Sequence, residues 1–340
     1  MRAPDSWLYF LTALIKGEEA KMVSEAQLEE ALEKGDVSEA KGALGGTRLG
    51  DFLLATKTDS MRELEAALWA HLSDCIGELL SFSAIPRDLA RIIRAYSMKY
   101  DLFNLISALR GLLYGAGPPV SFVPLGIMGE MGLLAELTNI GDLKDLCALL
   151  SAHGLGIYAN VLLKYPECDP EELRKRRGDI EGELWGAYYS ELLSLAEGLR
   201  DPYFSEAVRA SVMISNLKAI FRALSDGRGG PIGGLALEGF LPRDLASSID
   251  SIGLEDLPRF FEGSGYGAML REALSARSKG GLQAVEETFD KWEEALLRDI
   301  LSRRLFAPST IYWYLIEREL EVRRVRMAFV RIFDKIYGAS

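Results

Sequence analysis

Apolar residues recur at steps of three and four along nearly the whole chain. The clearest case is Ser60–Ser81, where Leu64, Ala67, Leu68, His71, Leu72, Cys75, Ile76, Leu79 and Leu80 form one stripe and the acids fall elsewhere. A stripe of that period predicts an amphipathic helix with one buried face. Asp169-Pro170-Glu171-Glu172 reads as an N-cap, a proline at the first helical position and acids in the first turn. Pro308-Ser309-Thr310 opens another amphipathic run that reaches about Tyr337. Alternating runs are missing, and Asp226-Gly227 sits in a glycine-rich loop rather than between β-rich segments. The expected fold class is all-α.

Two long uncharged stretches test that picture. Gly111–Gly129 contains Gly115, Gly117, Pro118 and Pro119, which no single spanning helix tolerates. Leu146–Leu163 carries Ser151, His153, Gly154, Gly156 and Asn160, and reads as a helix–turn–helix within a soluble core. The apolar run Trp7–Ile15 is not followed by a small-residue cleavage site, so no secretory signal is expected.

The helical pattern breaks at Tyr114–Pro119 and at Asp226–Gly234, which cut the chain into near-equal thirds. The thirds resemble one another. An apolar-Glu-x-x-apolar helix recurs as Leu64-Glu65-Ala-Ala-Leu68, Ile180-Glu181-Gly-Glu-Leu184 and Val285-Glu286-Glu-Thr-Phe289, with Trp69, Trp185 and Trp292 nearby. A second helix follows in each: Asp101–Arg110, Met213–Arg222 and the degenerate Glu321–Val330. An apolar-Gly-apolar step comes next in the first two, around Gly126 and Gly239. Anchors held in register imply three copies of one helical domain, 1–115, 116–230 and 231–340, in a pseudo-threefold arrangement.

Composition narrows the function. The 340 residues carry a net charge of −11, which argues against a nucleic-acid binder. Three cysteines (Cys75, Cys147, Cys168) without a CxxC, and only two histidines (His71, His153), leave little for a disulfide framework, a metal site or a Cys-His or Ser-His catalytic pair. Four Asn and two Gln beside plentiful charge follow a hyperthermophile habit. Asp226–Gly234 and Ser264-Gly-Tyr-Gly267 lack the GxxxxGK[ST] pattern and a preceding strand, so they read as linker or cap rather than phosphate cradle. The acid pairs Glu171-Glu172, Glu286-Glu287 and Glu293-Glu294 point to different sides of their helices and make no acid–base dyad. No catalytic, cofactor or metal residues are expected.

Three charged features remain. The run Arg174-Lys-Arg-Arg177 reads as a solvated face or a contact for an acidic partner. Arg318, Arg323, Arg324, Arg326 and Arg331 alternate with Glu317, Glu319 and Glu321, which predicts intrahelical pairs worth about 0.2–0.5 kcal/mol each or a partner-binding ridge. Asn104 and Asn216 occupy matching places in two copies, with Arg110 and Arg222 six residues on. Buried side chains of these types must be hydrogen-bonded, so they are expected to tie helices together within each copy.

At these residues the chain resembles a known family. Tyr100–Arg110 is similar to that family's YDxxNLxxLLR helix, Ser215–Arg222 to its second copy, and Ile311–Arg326 to its C-terminal YLxxKExEvxNLR helix. The family is the C subunit of archaeal A-type and bacterial V/A-type ATP synthases, itself similar to the d subunit of eukaryotic V-ATPases. The resemblance covers essentially the whole chain. Met213 stands where the second copy usually has Asp, Arg324 replaces the usual Asn, and Leu14 takes the place of an Arg, while Tyr9, Ala13 and Lys16 persist.

The resemblance implies a three-domain helical funnel with Asp101, Asn104, Arg110, Asn216, Arg222, Glu321 and Arg326 as structural hallmarks. It also implies a non-catalytic rotor component without cofactor or direct small-molecule substrate, peripheral on the cytoplasmic face of the membrane. Its partners would be the rotor shaft, made of the D and F subunits, and the membrane proteolipid ring. Two other readings fit the residues alone: a helical adaptor unrelated to ATPases, and a small-molecule enzyme on a helical fold, which would need a deep pocket with convergent titratable groups.

Overall fold

A computed structural model of the chain describes residues 6–81, 86–114, 122–165, 168–225, 235, 237, 240–248, 251–302 and 305–337. Most of the chain is helical, and no strand occurs among the described residues. Most of the first break, the second break and Gly239 lie outside the described residues.

In chain order the helices are α1 (Ser6–Glu19), α2 (Glu25–Glu33), α3 (Val37–Ala43), α4 (Arg48–Ala55), α5 (Met61–Ser81), α6 (Arg87–Tyr114), α7 (Gly126–Glu130) and α8 (Leu134–Thr138). Then come α9 (Leu143–Ala152), α10 (Gly156–Leu162), α11 (Pro170–Lys175), α12 (Arg177–Leu199), α13 (Pro202–Ser225), α14 (Arg243–Ser248), a 3-10 segment at Leu254–Phe261, α15 (Gly265–Leu301) and α16 (Pro308–Tyr337).

Local chemistry sets the ends. Ser24 and Gln27 form a reciprocal capping box at the start of α2. Asp36, Thr47, Asp142 and Asp169 each accept a hydrogen bond from the backbone N–H three residues on, at the starts of α3, α4, α9 and α11. Pro170 sits in the first turn of α11, as its sequence predicts. The stretch 146–163 is α9 turning into α10. The 37 residues of α15 are two helical arms, because Gly281 takes φ 67° and ψ −156°, a conformation open to glycine at little cost. Gly267 has a packing role: a Cβ there would sit 2.6 Å from the carbonyl oxygen of Phe261. Ser264-Gly-Tyr-Gly267 is therefore a close approach between α15 and the 3-10 segment.

The chain divides into two compact units. One comprises residues 1–97, 123–130 and 304–340; the other comprises 98–122 and 131–303. In the first, α16 packs on α5, α2, α1 and α3. The predicted stripe of α5 is the buried face, from Leu64 to Leu79, with Leu80 half-buried at its edge. In the second, α13 packs on α15 and α12, and α10 on α9 and α12. Its core gathers Leu217, Phe221, Leu257, Leu270 and Phe289, with the rings of Phe221 and Phe289 edge to face at 5.8 Å.

Candidate functional site

Three helix pairs each carry one Arg–Glu tie from a hallmark arginine. In the second unit, Arg110 on α6 binds Glu181 on α12 through Nε (3.2 Å) and Nη2 (3.1 and 3.3 Å to the two carboxylate oxygens). Arg222 on α13 binds Glu286 on α15 at 2.7 Å. In the first unit, Arg326 on α16 binds Glu65 on α5 at 2.5 and 2.8 Å. The three carboxylates are the Glu of the recurring apolar-Glu-x-x-apolar motif. The two recurrences seen in the sequence, one in each kind of helix, are thus the two halves of one repeated contact.

These ties do not run within the copies expected from the sequence, as numbered above. Each joins the second helix of one copy to the first helix of the next, and the last joins copy three back to copy one. Arg326 lies four residues before Val330, the position in register with Arg110 and Arg222, and so presents the same helix face one turn earlier. The expectation of buried arginines is also corrected: the side chains of Arg110 and Arg222 are 53% and 57% exposed. An arginine's long stem lets its head reach a partner at the surface of a pair whose apolar stripe is already closed. Ties this exposed contribute about 0.2–1 kcal/mol each. Packing holds the pairs, and the ties fix which faces meet.

The buried hallmarks lie on the same helices. Asn216 is fully buried and its Nδ2 donates to the carbonyl of Leu237 at 2.8 Å. Asp101 and Asn104 are buried on α6. The Trp anchors are half-buried: Trp185 packs among Phe103, Tyr188 and Tyr189, and Trp292 donates to Glu272 at 2.8 Å.

Glu321 belongs to a buried charge cluster in the first unit. Arg318 is 1% exposed. Its Nη1 binds Glu321 Oε2 at 2.9 Å, its Nη2 reaches the Glu18 carbonyl (3.0 Å) and Oε2 (3.2 Å), and its Nε donates to the Tyr314 hydroxyl at 3.0 Å. Glu321 Oε1 accepts the backbone N–H of Val23 at 2.8 Å. Glu18 also takes Arg48 (2.7 Å) and Lys21 (2.8 Å), and Arg48 continues to Glu78. The cluster therefore pins α16 to α1, to the turn before α2, and to α4 and α5. Nearby, the Tyr96 hydroxyl donates to Glu319 at 2.5 Å, and Arg323 makes an intrahelical pair with Glu319 as expected.

Burial and the two guanidiniums tune the neighbours. Desolvation, reinforced by Arg318 and Arg48, holds His71 down to about 3, so it is neutral. Its Nε2 lies 3.6 Å from the Cys75 sulfur. Burial pushes the Cys75 thiol up to about 11 and the Tyr314 hydroxyl up to about 12. Burial raises Glu18, but the hydrogen bonds from Lys21 and Arg48 outweigh it and leave the carboxyl below its ordinary value. A neutral histidine and an un-ionised thiol leave no ready nucleophile here; the cluster joins helices.

The sequence pattern alone makes Arg318 one member of a modest surface ladder. The signal that separates it from the others is position: Arg318 and Glu321 continue the buried face that begins at Ile311, Tyr314 and Leu315. Among the described residues no group of three or more His, Cys, Asp or Glu side chains could hold a metal ion, and no helix is long and apolar enough to cross a membrane.

Known proteins are similar to this chain over most of its length. The chain is similar to the C subunit of the A-type ATP synthase of Methanocaldococcus jannaschii, 23% identical over 333 residues, with 93% of this chain and 80% of the relative covered. It is similar to that of Pyrococcus horikoshii, 25% identical with 97% and 88% covered, and to that of Methanothermobacter thermautotrophicus, 26% identical with 93% and 81% covered. The family model of the ATP synthase (C/AC39) subunit matches residues 11–337. A match over nearly the full length places the chain in the ATP synthase (C/AC39) subunit family.

Proposed function

We propose that the chain is the non-catalytic socket of an A/V-type rotary ATP synthase. It seats the shaft formed by the D and F subunits, rests on the membrane proteolipid ring at the cytoplasmic face, and passes torque between ATP chemistry and ion translocation. In this reading the three copies (1–115, 116–230 and 231–340) form a funnel around the shaft.

The observation that carries the reading is the handed-on pairing of the copies. Each Arg–Glu tie joins a copy to the next and the last returns to the first, so no copy closes its own helix pair. Packed helices linked in this order resist a twisting load, because displacing one copy disturbs pairs on both sides of it. The family membership supplies the machine in which such an element has work to do.

The test is co-elution and calorimetry of the purified chain with the purified D–F shaft of the same organism, across a salt series. A one-to-one complex is expected, weakening as salt rises, because charged faces steer reversible seating. Failure to bind the shaft at low salt, with the proteolipid ring present, would overturn the assignment.

A further inference from the structure

The run Arg174-Lys175-Arg176-Arg177 sits at the corner where α11 meets α12, and it is not a loose solvated face. The Arg174 Nε donates to the Leu113 carbonyl, and its guanidinium lies over the Tyr114 ring at 5.6 Å. Arg177 lies over the same ring at 6.0 Å and donates to the Tyr114 hydroxyl at 3.2 Å. Arg176 lies over the Tyr165 ring at 5.2 Å. Arg176 also acts from a distance on Glu183, whose carboxyl is raised by burial but brought below its ordinary value by the hydrogen bonds from Lys164 and Tyr165 and then by Arg176. Arg174 and Arg176 are exposed. Aromatic faces thus hold their planar, multiply donating heads in place toward solvent. The ordering cost of a long flexible cation has been met during folding, which favours later binding.

Beside this corner lies a small apolar cleft between Leu109, Leu113, Leu143, Leu162, Leu173 and Ile180. Arg110 and Arg177 stand at its rim, both held by Glu181. A surface of this kind fits a helix that lays a small apolar side chain across the shallow cleft and presents carboxylates at helical spacing to the arginines. Glu171, Glu172 and Asp179 are interspersed among the cations. A continuous phosphate backbone or an anionic lipid surface would be repelled by them. A protein segment can place its charges one by one, setting an acid opposite each arginine and keeping its own acids away from the glutamates.

We propose that this corner is the docking surface for an acidic, helical segment of the shaft. The inference rests on the socket reading above and adds the residues and the chemistry of the contact.

The experiment titrates the purified D–F shaft into the wild-type chain, the Arg174→Gln/Arg176→Gln variant and the Glu171→Gln/Glu172→Gln variant, at several salt concentrations. Loss of two charge-assisted contacts is expected to weaken binding about tenfold or more and to flatten the salt dependence. The glutamate variant should bind as well as wild type or more tightly. Unchanged melting temperatures would show that the exposed changes leave the fold intact. Should the arginine variant bind as wild type does, with the same salt slope, the docking surface is overturned and the socket reading stands. Should the wild type itself fail to bind the shaft at low salt, with the proteolipid ring present, both fall. Binding of the wild type to anionic vesicles or to RNA, lost in the arginine variant while shaft binding is retained, would also overturn the proposal and assign the corner to a polyanion.

Discussion

Replacing Arg318 with Met is expected to cost about 3–5 kcal/mol of folding stability, because it strands the Glu321 carboxylate that folding has buried. Arg318 is the shared partner of Glu321 and Glu18 and is itself 1% exposed. Without it Glu321, 3% exposed, keeps only the Val23 N–H as a partner among the contacts described above. The pair as a whole need not stabilise: two charges leaving water lose about as much as they gain from each other. That asymmetry gives a sharper test. Arg318→Met combined with Glu321→Gln removes both charges while the Gln oxygen still accepts from Val23. The double variant should recover a large part of the loss of the single one in denaturant titrations monitored by far-UV circular dichroism. A single variant as stable as wild type would show that α16 is held without the cluster.

The second large effect is on acid stability. His71 is about 3 when folded against an ordinary 6.5, so between those values the unfolded chain binds a proton that the folded chain refuses. The contribution is fully present above 6.5 and is lost as pH falls toward 3. By pH 4.5 the loss amounts to roughly 3 kcal/mol, from roughly 1.4 kcal/mol per unit. Glu18, held below its ordinary value of 4.5, adds a loss of the same sign at lower pH still. The groups facing His71 are Arg318, Arg48, Glu18 and Cys75, and the two arginines reinforce the effect of burial. A His71→Leu variant should therefore show a much flatter fall in melting temperature between pH 6.5 and 4.5. Parallel profiles for the variant and wild type would contradict the buried, neutral imidazole.

Both effects belong to features that the sequence shows only in part. The helices were legible because their apolar periodicity and their caps are local: the stripe of α5, Asp169-Pro170 and the turn at 154 are all where the pattern puts them. The Arg and Glu of the ties were legible because each of the three helix pairs carries them at matching places in the sequence, with Arg326 one turn early. Partner choice was not. Arg110 binds Glu181 rather than a residue of its own copy, and nothing within one copy records which neighbour closes its pair. The burial of Arg318 was hidden for a related reason. Its partner Glu18 lies 300 residues away, and an Arg three residues before a Glu looks the same on a surface ladder as in a buried cluster. The corner at Arg174–Arg177 was visible as charge, but the rings of Tyr114 and Tyr165 that fix it reach it only through the fold.

The proposed role, coupling rotation to ion movement without performing chemistry, is tested most directly by ATP-driven ion uptake. Vesicles reconstituted with the complete synthase would be compared with the same assembly lacking this chain. Without the chain, ATP hydrolysis by the catalytic head should continue while ion uptake is lost, and adding the purified chain back should restore uptake. Undiminished uptake in its absence would contradict the coupling role.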